Sequence, residues 1–134
     1  MNTDNTLTIL LADDDADDRE LFVEAVKETD ERLRCIAVED GQAAIQYLSD
    51  PTNALPDYIF LDLRMPRMSG RTCLQMIKSD ERVKHIPVII YTTSDYVEDS
   101  KDVMGVGATH FITKPDNPEE IYYILSMILN EKWT

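Results

Sequence analysis

The reactive side chains of this sequence recur at one kind of place, the end of a short apolar run. Leu7 to Ala12 is followed by Asp13, Asp14 and Asp15, Tyr58 to Leu61 by Asp62, Val88 to Tyr91 by Thr92, Thr93 and Ser94, and Thr109 to Thr113 by Lys114. A run of β-favouring residues that stops on an acid, with Pro66 and Gly70 as breakers just beyond, describes a buried strand feeding an exposed loop. Ligands of open parallel α/β sheets bind at the carboxyl ends of their strands. Three carboxylates on one such rim repel one another, and a hard divalent cation with oxygen ligands and retained waters relieves them, which points to magnesium. Lys114 adds nothing to cation binding but suits an anionic oxygen, as does the Thr92 hydroxyl. The expected anion is a phosphoryl group, with Asp62 as the nucleophile that would form an aspartyl phosphate. Taken alone, Asp62 equally fits a residue that ends a strand and opens a turn. The remaining elements decide between the two.

Asp15 can cap a helix whose first turn carries Asp17, Asp18 and Glu20 near the positive end of its dipole, with Phe22, Ala25 and Val26 as its buried stripe. Local structure accounts for those acids and leaves Asp13 and Asp14 over. Leu33 to Val38 is a weaker strand signal holding Arg34, suited to a sheet edge. Gly41 to Leu48 reads as a helix with Ala44, Ile45 and Leu48 on one face, and Ser49 to Pro56 as a turn-rich connection. From Gly70 to Lys78 a helical stripe takes Cys73, Met76 and Ile77. From Asp95 to Met104 the helical pattern is poor, with Val97 and Met104 standing among Glu98, Asp99, Ser100, Lys101 and Asp102, so this is expected to be the least firmly docked helix, closed by Gly105 and Gly107. Asn117 can cap the last helix, with Pro118 in its first turn and Ile121, Ile124, Leu125 and Ile128 as its apolar face. Strand and helix signals alternate throughout, which predicts an α/β fold with a parallel sheet covered on both faces. All the reactive ends then fall on one rim.

A chain of 134 residues fits one domain, expected over residues 7–134 behind a flexible segment 1–6, with no room for a separate output domain. No apolar run approaches ~20 residues and the first residues carry neither a basic nor an apolar stretch, so no membrane span or secretory signal is expected and the cytoplasm is the expected compartment. Thirteen basic against twenty-six acidic residues leave a net charge of -13, which opposes binding to a nucleic-acid backbone. Cys35 and Cys73 have no metal-spaced companions and are expected as reduced core thiols. His85 and His110 are expected at the surface.

From Leu7 to Trp133 the chain resembles the receiver domain of two-component response regulators, in particular the chemotaxis-regulator-like single-domain kind. Asp13-Asp14, Leu61-Asp62-Leu63-Arg64-Met65-Pro66 with Ser69-Gly70, Thr92, and Lys114-Pro115 stand in the family's order. The resemblance implies a flavodoxin-like, doubly wound five-stranded parallel sheet of order 2-1-3-4-5 with five helices. It implies Asp62 as phosphoacceptor, a magnesium site at Asp13, Asp14 and Asp62 with the backbone carbonyl of Arg64, Lys114 as phosphate partner, Thr92 as switch hydroxyl and Phe111 as switch aromatic. Without it, Phe111 reads as a core residue. The resemblance also points to a cis Lys114-Pro115 bond, to a sensor histidine kinase or phosphotransfer protein as phosphoryl donor, and to an unidentified downstream protein target. The role implied is that of a signalling receiver supporting its own phosphorylation and dephosphorylation, not of an enzyme. Thr93 departs from the small residue common at its place, and Arg64 and Ser94 occupy positions that tune dephosphorylation without giving a lifetime. Two other readings stand beside this one. A degenerate receiver would only bind protein, which the intact set of acids and lysine opposes; an aspartyl-nucleophile phosphatase would carry an acid where Arg64 stands. Tyr123 and Met127, projecting off the apolar face of the last helix, leave open a monomer or a weak phosphorylation-dependent dimer.

Overall fold

The computed structural model describes residues 6–130. The expected flexible start before Thr6 and the end of the expected domain beyond Asn130, Trp133 included, lie outside the described residues. Strands and helices alternate as β1 (Leu7–Ala12), α1 (Ala16–Thr29), β2 (Leu33–Val38), α2 (Gly41–Ser49), β3 (Tyr58–Leu61), α3 (Gly70–Lys78), β4 (Val88–Thr92), α4 (Val97–Val106), β5 (His110–Thr113) and α5 (Glu119–Leu129). The sheet is parallel throughout in the order β2-β1-β3-β4-β5. β1, β3 and β4 are buried on both faces, so their sequences are almost continuously apolar, with Thr8 and Thr92 as the exceptions, whereas β2 lies at an edge and tolerates Arg34.

Alternation along each strand sorts the core into two layers. Ile9, Leu11, Phe60, Ile89 and Tyr91 face Phe22, Val26, Ile121, Leu125 and Ile128 of α1 and α5. Leu10, Ala12, Ile59, Leu61, Val88 and Ile90 face Ala44, Leu48, Cys73, Leu74, Ile77 and Val103 of α2, α3 and α4. Capping follows the sequence signals. Asp15 Oδ1 accepts from the Asp17 and Asp18 N–H groups and Ser69 from Thr72. On α5 the expectation is corrected: Pro118, not Asn117, holds the cap position and lies outside the helix, and Asn117 Oδ1 accepts from the Glu119 N–H just ahead of it.

Several local expectations are corrected. Met76 is 43% exposed and Leu74 takes the buried place on α3, because the helix meets the sheet along Cys73, Leu74 and Ile77. Gly105 lies inside α4, and Gly107 alone terminates it, at a φ of 125° that favours glycine. The Lys114-Pro115 bond is trans. α4 is weakly docked, as expected, but its buried residue is Val103 and not Val97 or Met104, which are 61% and 44% exposed. It has no side-chain cap, and polar ties absent from any apolar pattern hold it: Arg71 of α3 donates through Nε to Asp102 at 2.5 Å, and Ser94 Oγ donates to Asp99 at 2.5 Å. Both cysteines are free thiols, Cys73 buried and Cys35 half-buried, and burial pushes each up to about 12.

Candidate functional site

The register of the sheet builds the site before any side chain is considered. Ala12 pairs with Leu61, so the next residues, Asp13 and Asp62, leave β1 and β3 side by side, with the Asp62 N–H donating to the Ala12 carbonyl at 3.0 Å. Thr92 pairs with Thr113, and the Lys114 N–H donates to the Thr92 carbonyl at 2.6 Å. The strand order reverses between β1 and β3, the place where such sheets open a crevice at their carboxyl ends. The rim expected from sequence is therefore assembled at that switch point.

Parity then divides the rim. Asp13 continues the alternation of Ile9 and Leu11, and Asp62 that of Phe60, so both turn to the α1 side, where Lys114 meets them. Lys114 Nζ lies 2.7 Å from Asp13 Oδ2, 2.9 Å from Asp62 Oδ2 and 2.8 Å from Asp18 Oδ2. The contacts to Asp18 and Asp62 are hydrogen bonds; that to Asp13 is an ion pair whose angles do not complete one. The ammonium also stands 5.9 Å from the centre of the Tyr91 ring, which packs edge-on against Phe22 and Phe60 beneath. Thr92 and Phe111 have the opposite parity. Thr92 pairs beyond Ile90, which itself pairs with Phe111, so the two share the face toward α3 and α4. Phe111 is half-buried against that core, and the buried Thr92 hydroxyl has no hydrogen-bond partner among the described residues.

Asp13 is fully buried, Asp62 nearly so and Asp14 exposed. Burial pushes the Asp13 carboxyl above its usual range against the opposing pull of Lys114 and the Asp15 N–H. For Lys114, burial acts to lower the pKa, but the carboxylates of Asp13, Asp18 and Asp62 outweigh it and hold the ammonium above its ordinary value. Ligand oxygens of Asp13, Asp14 and Asp62 lie within 4.8 Å of one another, a hard-oxygen set that fits a divalent cation. Arg19 Nη1 fixes the Asp13 carbonyl at 2.8 Å.

The loop after Asp62 is clamped. A Cβ on Gly70 would stand 2.1 Å from the Asp62 carbonyl, so only glycine lets α3 start there. Arg67 sits at φ 65° in a tight turn closed by the Met68 N–H on the Pro66 carbonyl at 2.6 Å, and its Nε reaches Asp40, the cap of α2, at 2.6 Å. Near the mouth, Arg64 Nη2 is 3.9 Å from Asp99, the acid that holds Ser94. Sequence reading missed four participants. Asp18 was accounted for by the dipole of α1, Tyr91 by the core, and Asp40 and Arg67 by nothing. Strand parity applied to the register would have directed attention to the first two.

With fold and site in place, the chain belongs to the response regulator receiver domain family, whose model matches residues 9–126. It is 33% identical over 122 residues to the phosphate regulon transcriptional regulatory protein PhoB of Pseudomonas aeruginosa, covering 91% of this chain and 51% of PhoB, so it spans about half of that relative. It is 30% identical to the response regulator Rcp1 of Synechocystis, covering 90% of this chain and 84% of Rcp1. Among solved structures it is similar to the phosphorylated cyanobacterial phytochrome response regulator RcpA, at a TM-score of 0.85 and 31% identity over 92% of this chain and 91% of that one. The Mn(2+)-bound form of Rcp1 superposes with a TM-score of 0.84 at 29% identity, over 94% of this chain and 96% of that one. The flavodoxin-like receiver fold and the two-component signalling class are thus shown, and no described helix is long and apolar enough to cross a membrane.

Proposed function

We propose that this receiver accepts a phosphoryl group on Asp62 in a magnesium-dependent reaction and signals through the face around α4 and β5. The observation that carries this reading is the meeting of Asp62, a second buried acid, an exposed third acid and a lysine at one switch point, beside an unpartnered buried hydroxyl. An Asp62 carboxylate oxygen attacks phosphorus of a phosphohistidine on a histidine kinase or phosphotransfer protein. The new O–P bond forms as the P–N bond breaks, and the electron pair stays on the imidazole nitrogen, which takes up a proton. Magnesium held by Asp13, Asp14 and Asp62, with the Arg64 carbonyl as a further ligand, would neutralise charge on the phosphoryl oxygens. Lys114 stands ready to pair with one such oxygen and Thr92 to donate its hydroxyl to another. Drawing Thr92 inward vacates space on the face it shares with Phe111, whose ring can follow, and α4, held by one buried side chain and a few polar ties, responds.

The Mn(2+)-bound Rcp1 and phosphorylated RcpA support the metal and the modification by likeness. Membership of the receiver family supports a histidine kinase or phosphotransfer protein as donor, placed in the cytoplasm on this reading, and a net charge of -13 speaks against nucleic acid as the direct target. Intact mass after incubation with acetyl phosphate tests the chemistry. One phosphoryl group is expected with magnesium and none with chelator, and Asp62→Ala should be unlabelled with an unchanged far-UV spectrum. Labelling that persists in Asp62→Ala would refute the assignment. No labelling by acetyl phosphate or by a phosphorylated kinase would leave a receiver that only binds protein.

A further inference from the structure

Lys114 is surrounded by three carboxylates, but they are not equivalent. Asp13 and Asp62 belong to the oxygen cluster that fits a cation, and Asp18 does not. A divalent ion at that cluster shares the oxygens of Asp13 and Asp62, so the lysine's hold on both weakens as the metal arrives. The Asp18 carboxylate is outside the competition. It projects from the first turn of α1, a helix pinned by the buried Phe22 and by its Asp15 cap, and it meets Nζ at 2.8 Å. The Tyr91 ring stands 5.9 Å away beneath the ammonium. A lysine side chain is long and loses much rotamer freedom when held in one pose, so a fixed partner is needed to keep it there.

Resting on the receiver reading above, we propose that Asp18 is a positioning residue acting through Lys114: it keeps the ammonium beside Asp62 while Asp13 and Asp62 are engaged by the cation, ready to meet the incoming phosphoryl oxygen. Asp18→Asn retains an acceptor oxygen and removes the charge, Asp18→Ala removes both, and Asp17→Ala deletes a neighbouring first-turn acid that does not touch Lys114.

The experiment compares acetyl phosphate labelling rates at saturating magnesium, magnesium affinity, and the Lys114 ammonium signal by 15N–1H NMR in the presence of magnesium, assigned by its loss in Lys114→Ala. Asp18→Ala should label about tenfold more slowly and lose the ammonium signal, the scale expected when a reacting group is held less well. Asp18→Asn should keep the signal and stay within about twofold of the parent rate, and Asp17→Ala should match the parent. Magnesium affinity should move by less than about threefold in all three, because neither Asp17 nor Asp18 is a ligand. A parental rate and signal in Asp18→Ala would overturn the proposal. So would equal slowing in Asp18→Asn, which would make charge the cause, or the same slowing in Asp17→Ala, which would make the cause the first turn of α1. If the parent protein is not labelled at all, the receiver chemistry itself fails, while the ammonium signal still reads whether Asp18 holds Lys114.

Discussion

The Thr92 hydroxyl is buried without a partner among the described residues, and a desolvated, unpaired polar group destabilises a fold by about 1–3 kcal/mol. The same hydroxyl is the group proposed to close on a phosphoryl oxygen, so its place trades stability for function. Thr92→Val, nearly identical in shape, should raise the urea midpoint by an amount equivalent to about 1 kcal/mol with an unchanged slope. It should also abolish the phosphorylation-dependent shifts of the Phe111 ring resonances. A lower midpoint would mean that the hydroxyl has a partner in solution. Lys114 presents the opposite case, a buried charge with every neighbour opposite in sign, which is why its proton is held more tightly than in water.

Among elements, the β3–α3 loop owes its shape to α2. Asp40 caps α2 through the Ala43 N–H at 2.8 Å and pairs with Arg67, while Gly41 leaves room for the Met68 carbonyl, which a Cβ would approach to 2.7 Å. The Ala43 N–H, against a smaller cost of burial and with help from Arg67, holds the Asp40 carboxyl below its usual range. A group depressed in this way contributes stability that is present above the unfolded carboxylate pKa of about 4 and is lost as pH falls through the lower folded value. Asp40→Ala should therefore cost about 1–2 kcal/mol at pH 7 by urea unfolding, and the difference from the parent should narrow below about pH 4. A difference that does not change with pH would show that capping geometry alone, and not the ionised pair, stabilises the loop.

At the scale of the whole molecule, acids outnumber bases by thirteen, and five of them, Asp17, Glu20, Glu24, Glu28 and Glu119, line a groove of about 580 Å³ between α1 and α5. Diffuse cation binding there would be weak and screened by salt. A cation at Asp13, Asp14 and Asp62 instead relieves a repulsion that the fold itself enforces, so magnesium at tenfold its dissociation constant should stabilise the domain by about 1.4 kcal/mol. Thermal unfolding with magnesium against matched sodium chloride checks this, and Asp14→Ala should lose most of the shift. A shift of equal size in Asp14→Ala would locate the binding in the groove. Tyr123 and Met127 are 68% and 56% exposed on α5, and sedimentation with and without phosphorylation decides whether they meet a second copy.

The sequence by itself determined the alternation of elements, the buried strands, the cap at Asp15, the weak docking of α4 and, through reactive residues placed at strand ends, the membership of one rim. These are local properties: a strand buried on both faces must be continuously apolar, and a cap must carry an oxygen at a fixed offset. Tertiary structure decided what depends on residues far apart in the chain. The register that sets Ala12 beside Leu61 fixes which acids touch, and strand parity sends Lys114 toward α1 and Asp18 while Thr92 and Phe111 turn to the other face. The Arg67–Asp40 and Arg71–Asp102 pairs and the exposure of Met76 belong to the same class. Periodicity does not encode them, because a charged side chain at an element's surface carries no sign of which distant partner the packing will bring to it.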